Sequence, residues 1–122
     1  MIRAILSHLR NDYATEITWE EMLSISRTEW TQVSEGCKGI RVRMPAPKIM
    51  SFIIKMEPGS HIPNHWHEKV KEYFTLLEGD CFSNIYRDME TGTAYKVHPG
   101  VEHNFSTENG CLLQMTAVRV GK

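Results

Sequence analysis

The chain has 122 residues, 41% of them hydrophobic and 24% charged, with a formal net charge of −1. That is enough apolar material for one core but not two, so residues 1–122 read as one domain. The balance excludes a polyelectrolyte partner: without a run of five like charges, Lys38, Arg41, Arg43 and Lys48 read as a solvated strand face, not a nucleic-acid footprint. No apolar run approaches the roughly 18 residues of a spanning helix, and Met1 to Arg10 has no secretory leader pattern. A cytoplasmic protein without nucleic-acid or membrane partners is expected.

In chain order, Met1 to Glu16 reads as an arm or edge strand. Thr18-Trp-Glu-Glu21 is a capping box ahead of Met22, Leu23 and Ile25, so one short helix is expected there. The arm and helix take up about 1–30, and a barrel core about 38–120. Ser34-Glu-Gly36 and Pro45-Ala-Pro47 punctuate the chain as turns. Between them Ile40-Arg-Val-Arg-Met44 alternates, apolar residues on one face and arginines on the other. From Ile49 to Met56, the residues Met50, Phe52, Ile54 and Met56 share a face. Further strands are expected at Tyr73–Glu78, Cys81–Arg87, Thr93–Val97, Val101–Ser106 and Leu112–Val120, broken by Gly-containing turns ending at Asp80, Gly92, Gly100 and Gly110. Many short strands at regular spacing predict an all-β sandwich or barrel.

Three cysteines, Cys37, Cys81 and Cys111, are an odd number without CxxC spacing. That argues against a disulfide framework and a thiolate zinc site, and for small buried thiols.

Chemistry concentrates in the stretch from Gly59 to Gly79. His65 and His67 stand at i and i+2, which on a strand aims both to one side and Trp66 to the other. Glu72 follows five residues after His67 and opens the next strand with Phe74 and Leu76 on its face. His103, with Phe105 on its own parity, supplies a third imidazole. Three imidazoles and one carboxylate suit a borderline divalent transition metal. By parity His61 and Pro63 share the face of His65 if the strand extends that far back. Tyr73, Tyr86 and Gln114 are further weak candidates, with His61, for a proton or a hydrogen bond to substrate. His98 reads as a surface group, and Glu68, Lys69 and Lys71 as a solvated loop.

Gly59, His65, His67, Glu72 and Gly79 resemble, without an insertion, the first motif of the cupin superfamily: Gly, five residues, His-x-His, a short gap, Glu, six residues, Gly. Gly92, Gly100 and His103 fit the second motif. There His98 stands in place of a proline, with Pro99 one place later, and Thr107 stands in place of a terminal Asn. The likeness spans about Gly59 to Thr107. It implies a cupin-type double-stranded β-helix, a jelly-roll barrel, with His65, His67, Glu72 and His103 as ligands of one divalent metal (Fe, Mn, Ni or Zn).

Within the family this ligand set serves dioxygenases, isomerases, lyases and oxalate-degrading enzymes. The resemblance therefore implies a metal-dependent enzyme on a small molecule held in the barrel, the metal acting as Lewis acid or redox centre, with a dioxygenase ahead of an isomerase or lyase. The alternative is a non-catalytic metal-binding or ligand-sensing module. Trp30 ahead of the Gly36 turn, and Gly110-Cys-Leu-Leu113, are similar to zinc cupin modules attached to anti-sigma factors. Cupins of this size also resemble dimers in which an N-terminal strand such as Met1–Glu16 pairs with the neighbour's sheet, removing an exposed edge, so a homodimer is expected.

Overall fold

The computed structural model describes residues 14–42 and 46–121. Among these residues two sheets enclose one apolar core. The six-stranded sheet runs in the order β2 (Thr31–Ser34), β3 (Cys37–Val42), β4 (Ile49–Met56), β11 (Cys111–Arg119), β6 (Val70–Gly79) and β9 (Ala94–Val97). The five-stranded sheet runs β1 (Thr15–Glu16), β5 (His61–Trp66), β10 (His103–Ser106), β7 (Phe82–Ser83) and β8 (Arg87–Asp88). Strands distant in sequence pair at the centre of both sheets, β4 and β6 with β11 and β5 with β10. The protein thus has the all-β jelly-roll architecture that its patterning predicts.

Period-two alternation builds the core. Met50, Phe52, Ile54 and Met56 of β4 stand in register with Ala117, Met115, Leu113 and Cys111 of β11. These in turn face Glu72, Phe74, Leu76 and Gly79 of β6. Phe52, Phe74 and Leu113 are buried, and full burial of each contributes about 1.5–3 kcal/mol. The inner rungs are apolar except at one end, where Glu72 enters between small Ala117 and Val97.

The segment before β2 closes that end. Helix α1 (Trp19–Leu23) starts on the expected capping box: Glu21 N–H donates to Thr18 Oγ1 (3.1 Å) and Thr18 N–H to Glu21 Oε1 (3.2 Å). Five residues are too few to be helical unaided. Burial of Ile17, Trp19, Met22 and Ile25 holds the turn against the barrel.

Several expectations are corrected. Thr15–Glu16 pairs parallel with β5, but residues 1–13 of the proposed arm lie outside the described residues. Cys81–Arg87 is not one strand. Ser83 Oγ accepts N–H bonds from Ile85 (3.2 Å) and Tyr86 (2.7 Å), folding the chain into a turn with Arg87 at φ 62° before β8. Local serine chemistry here overrides strand propensity. In β3 the buried face carries Cys37 and Gly39, while Ile40 is half-buried and Val42 exposed. The chain following α1 lies against this face: Arg41 N–H donates to Ser26 O (2.8 Å) and its Nε to Ile25 O (3.1 Å). Met44 lies outside the described residues. The strand β2 has no counterpart among the sequence expectations.

Candidate metal centre

Four side chains from both sheets meet at the Glu72 end. His65 lies near the end of β5, His67 just beyond it, His103 opens β10 opposite His65, and Glu72 comes across from β6. One ligand atom from each lies within 4.8 Å of those from the others, and all four residues are buried. Gly100 helps to hold His67, its N–H donating to the His67 carbonyl at 2.7 Å from a turn with φ 83°, a conformation that favours glycine.

The hydrogen bonds decide which nitrogens face inward. His65 Nδ1 lies 2.9 Å from Pro63 O, His67 Nδ1 2.6 Å from Ile17 O, and His103 Nδ1 2.9 Å from Val101 O. A carbonyl oxygen only accepts, so each Nδ1 carries the proton and donates it. In the neutral rings every Nε2 is then a lone pair. Nε2 of His67 and of His103 stand 3.0 and 2.9 Å from the same Glu72 Oε1. Lone pairs of neutral imidazoles therefore confront a carboxylate oxygen, and neither these nitrogens nor either Glu72 oxygen has another hydrogen-bond partner. Buried polar atoms without partners are costly. A divalent cation among them satisfies all of them at once, so the donor set fits a transition metal, with each ring oriented by a backbone carbonyl behind it.

The charge balance of the metal-free chain agrees. Burial works against ionising Glu72, yet His67 and His103 hold its carboxyl well below the usual carboxylate range. Burial, reinforced by His103 and His67, pushes His65 well below the ordinary imidazole value. Burial also opposes charge on His67, but neighbouring Glu72 outweighs it and raises this group.

Beside the donors lies a cavity of about 40 Å³, walled by apolar side chains such as Ile17, Met22, Ile25, Phe74 and Met115. The metal ligands are its only titratable lining groups. The other candidates are elsewhere. His61 is exposed, because β5 carries an extra residue between its pairings with His103 and Phe105. That bulge turns Ile62 inward opposite Phe105 and His61 outward. Tyr73 and Gln114 stand on the outer face of the six-stranded sheet, Tyr73 beneath the Lys71 ammonium. The Tyr86 hydroxyl donates to the Lys96 carbonyl. His98 is exposed. The backbone carbonyls of Ile17, Pro63 and Val101 are the parts of the site that side-chain reading misses, and only the capping box at Thr18 marks a fixed segment beside one of them.

No protein-family model and no curated protein matches the sequence. Solved structures do match the fold. An RmlC-like cupin from Shewanella frigidimarina aligns with a TM-score of 0.69 and 19% identity over 81% of this chain and 93% of that one. KdgF from Halomonas sp. aligns with a TM-score of 0.65 and 18% identity over 75% and 88%. Rhodobacter sphaeroides SigE in complex with the anti-sigma ChrR gives 0.63 and 16% over 74% of this chain and 49% of that one. These likenesses establish the fold.

Proposed function

We propose that this cupin-fold chain is a metal-dependent enzyme acting on a small, weakly polar molecule, with oxygen-dependent chemistry ahead of isomerisation or elimination. The carrying observation is the set of inward lone pairs on His65, His67, His103 and Glu72, which calls for a cation. That cation, when bound, supplies Lewis acidity or redox chemistry. The cavity supports the order of preference. Isomerases and lyases move protons and need a positioned acid or base at the substrate, and this cavity offers none beyond the metal ligands. A polyhydroxylated or carboxylated substrate likewise finds no polar partner on its walls, and burying such groups unpaired is costly. What the chain's own residues supply is orientation of the three imidazoles and exclusion of water.

Metal analysis with oxygen-uptake measurement tests the reading. We expect about one equivalent of iron or manganese per chain after purification under reducing, metal-replete conditions, and oxygen consumption with small, weakly polar substrates. A chain that retains no metal under those conditions overturns it.

A second reading is a non-catalytic metal-binding module. It draws support from the cavity's small volume, and from the presence among the structural neighbours of an anti-sigma protein and a cupin domain of an XRE family transcriptional regulator. Tightly held zinc with no oxygen uptake decides for it.

A further inference from the structure

Cys37, Cys81 and Cys111 lie at the other end of the barrel, all reduced and buried, and none belongs to the metal centre. Cys37 is spoken for by Ser60 Oγ (3.5 Å) and His61 O (3.7 Å). Cys81 and Cys111 instead face each other. Their approach depends on Gly79, which pairs with Cys111 in the β6–β11 ladder at φ 88°. A Cβ on Gly79 would lie 2.1 Å from Gly110 O and 2.8 Å from Cys111 Cα, so any other residue would force the two chains apart. Asp80 then fastens the corner. Its N–H donates to Gly110 O (3.3 Å), and its carboxylate accepts the N–H groups of Glu108 and Asn109, both at 2.9 Å.

The chemistry of the pair is asymmetric. The Cys81 thiol and the Thr107 hydroxyl both direct hydrogen bonds at the Cys111 sulfur, and together they lower its pKa against the opposing effect of burial. The same contact, with burial, pushes the Cys81 thiol up. Each thiol also borders a different surface depression. Cys111 lines one of about 720 Å³ with Trp30 and Pro58, and Cys81 one of about 610 Å³ with Asp80 and Asp88. The acidic groups around the second favour an uncharged oxidant over an anionic one.

We propose that Cys111 and Cys81 form a peroxide-responsive dithiol, with Cys111 as the attacking sulfur and Cys81 as the resolving one. In the first step the Cys111 thiolate attacks one oxygen of hydrogen peroxide. An S–O bond forms, the O–O bond breaks, and hydroxide leaves to become water with the proton released on forming the thiolate. In the second step Cys81 sulfur attacks the sulfenic sulfur of Cys111. The S–S bond forms and the S–O bond breaks, and the oxygen leaves as water carrying the Cys81 proton. Two thiols are oxidised by two electrons and one peroxide is reduced to two waters.

Peptide mapping by mass spectrometry, after peroxide treatment and alkylation of the full-length chain, tests this. The expected product is a Cys81–Cys111 cross-linked peptide with Cys37 as the one alkylated thiol, reversed by dithiothreitol. Cys81→Ser should accumulate a dimedone-reactive sulfenic acid at Cys111, whereas Cys111→Ser should leave Cys81 unmodified. In the folded, reduced protein, iodoacetamide should label Cys111 about tenfold faster than Cys37. The same cross-link in His67→Ala separates this chemistry from oxidation by a metal at the other end, and its absence there overturns the proposal. So does a wild-type chain with three alkylatable thiols after excess peroxide, or one oxidised first at Cys37 or between molecules. The wild-type mapping stands even if a serine variant does not fold.

Discussion

The two ends of the barrel bury polar groups in opposite ways. At the Glu72 end, backbone carbonyls satisfy the outer nitrogen of each imidazole and leave the inner atoms bare. At the cysteine end, neighbours on the chain meet each polar group: Asp80 takes two backbone N–H bonds and Thr107 Oγ1 accepts from Gly110 N–H (2.9 Å). One end is incomplete by design of its hydrogen bonds and the other is complete. Along β11 the ends are separated by the six residues from Cys111 to Ala117, about 20 Å of strand. The difference teaches where to look for a ligand in a fold whose shape alone says little: at the unsatisfied end.

The comparison breaks most readily at the imidazoles. His65→Ala or His67→Ala should lower metal affinity by more than about 100-fold, beyond the range usual for residues that merely support a ligand. Calorimetric titration showing either variant unchanged would mean that the wrong atoms have been identified as donors.

Glu72→Gln sharpens it further, because the two states of the protein should respond in opposite directions. An amide can donate to the bare Nε2 atoms of His67 and His103, so the metal-free variant should be more stable by about 1 kcal/mol. That corresponds to a rise of a few degrees in Tm. Metal affinity should fall, since the set's only negative charge is gone. A metal-free Glu72→Gln chain that melts lower than the parent would indicate that protonated imidazoles, not a cation, normally meet the carboxylate.

Acidification should weaken the site as well. Protonated imidazoles cannot ligate, so metal affinity should fall as pH drops through about 6.5. In the metal-free chain, His65 has a depressed pKa. The unfolded chain then takes up a proton near pH 6.5 that the folded chain refuses, and this group's share of stability is lost as pH falls below that value. The raised His67 acts with opposite sign, stabilising below 6.5 and fading as pH climbs through its folded value. The depressed Glu72 contributes above about 4.5 and is lost as acid reaches its folded value. Denaturation of His65→Gln across pH 5–8 should show a shallower loss on the acid side than the parent, and an unaltered slope counts against this assignment.

The smallest effects should come from Tyr73→Phe, Gln114→Ala and His61→Ala, which alter groups outside the centre. Each should leave metal affinity within about threefold of the parent, and Cys81→Ser should too, as distant sites act nearly independently. A larger drop in His61→Ala than in His67→Ala would reverse the order of the two strand positions.

How far the sequence could be read follows from which forces are local. His65, His67, Glu72 and His103 announce themselves by strand parity and by their glycine frame, and the structure gathers all four. The helix was legible because a capping box is a contact between residues three apart. His61 was not, because a bulge is settled by pairing with β10, which lies some forty residues away in the chain. The face of β3 was misread for a similar reason: what lies against Gly39 is Ile25 and Val33, and an alternating pattern carries no record of its cover. Cysteine spacing gave no hint of the Cys81–Cys111 encounter, which arises from the chain reversal at Gly79.

The bond from His67 Nδ1 to the carbonyl of Ile17 joins a deeply placed ligand to a segment held from outside by little more than the Glu20–Arg119 pair (3.7 Å) and the burial of its own apolar residues. Such a joint affects residence time more than affinity. An ion leaving the centre must first have this plug lifted, so the rate at which a chelator strips the protein reports the opening of residues 15–25, not the strength of the coordination bonds. Because the acceptor is main chain, position 17 can drift among apolar residues without altering that clock.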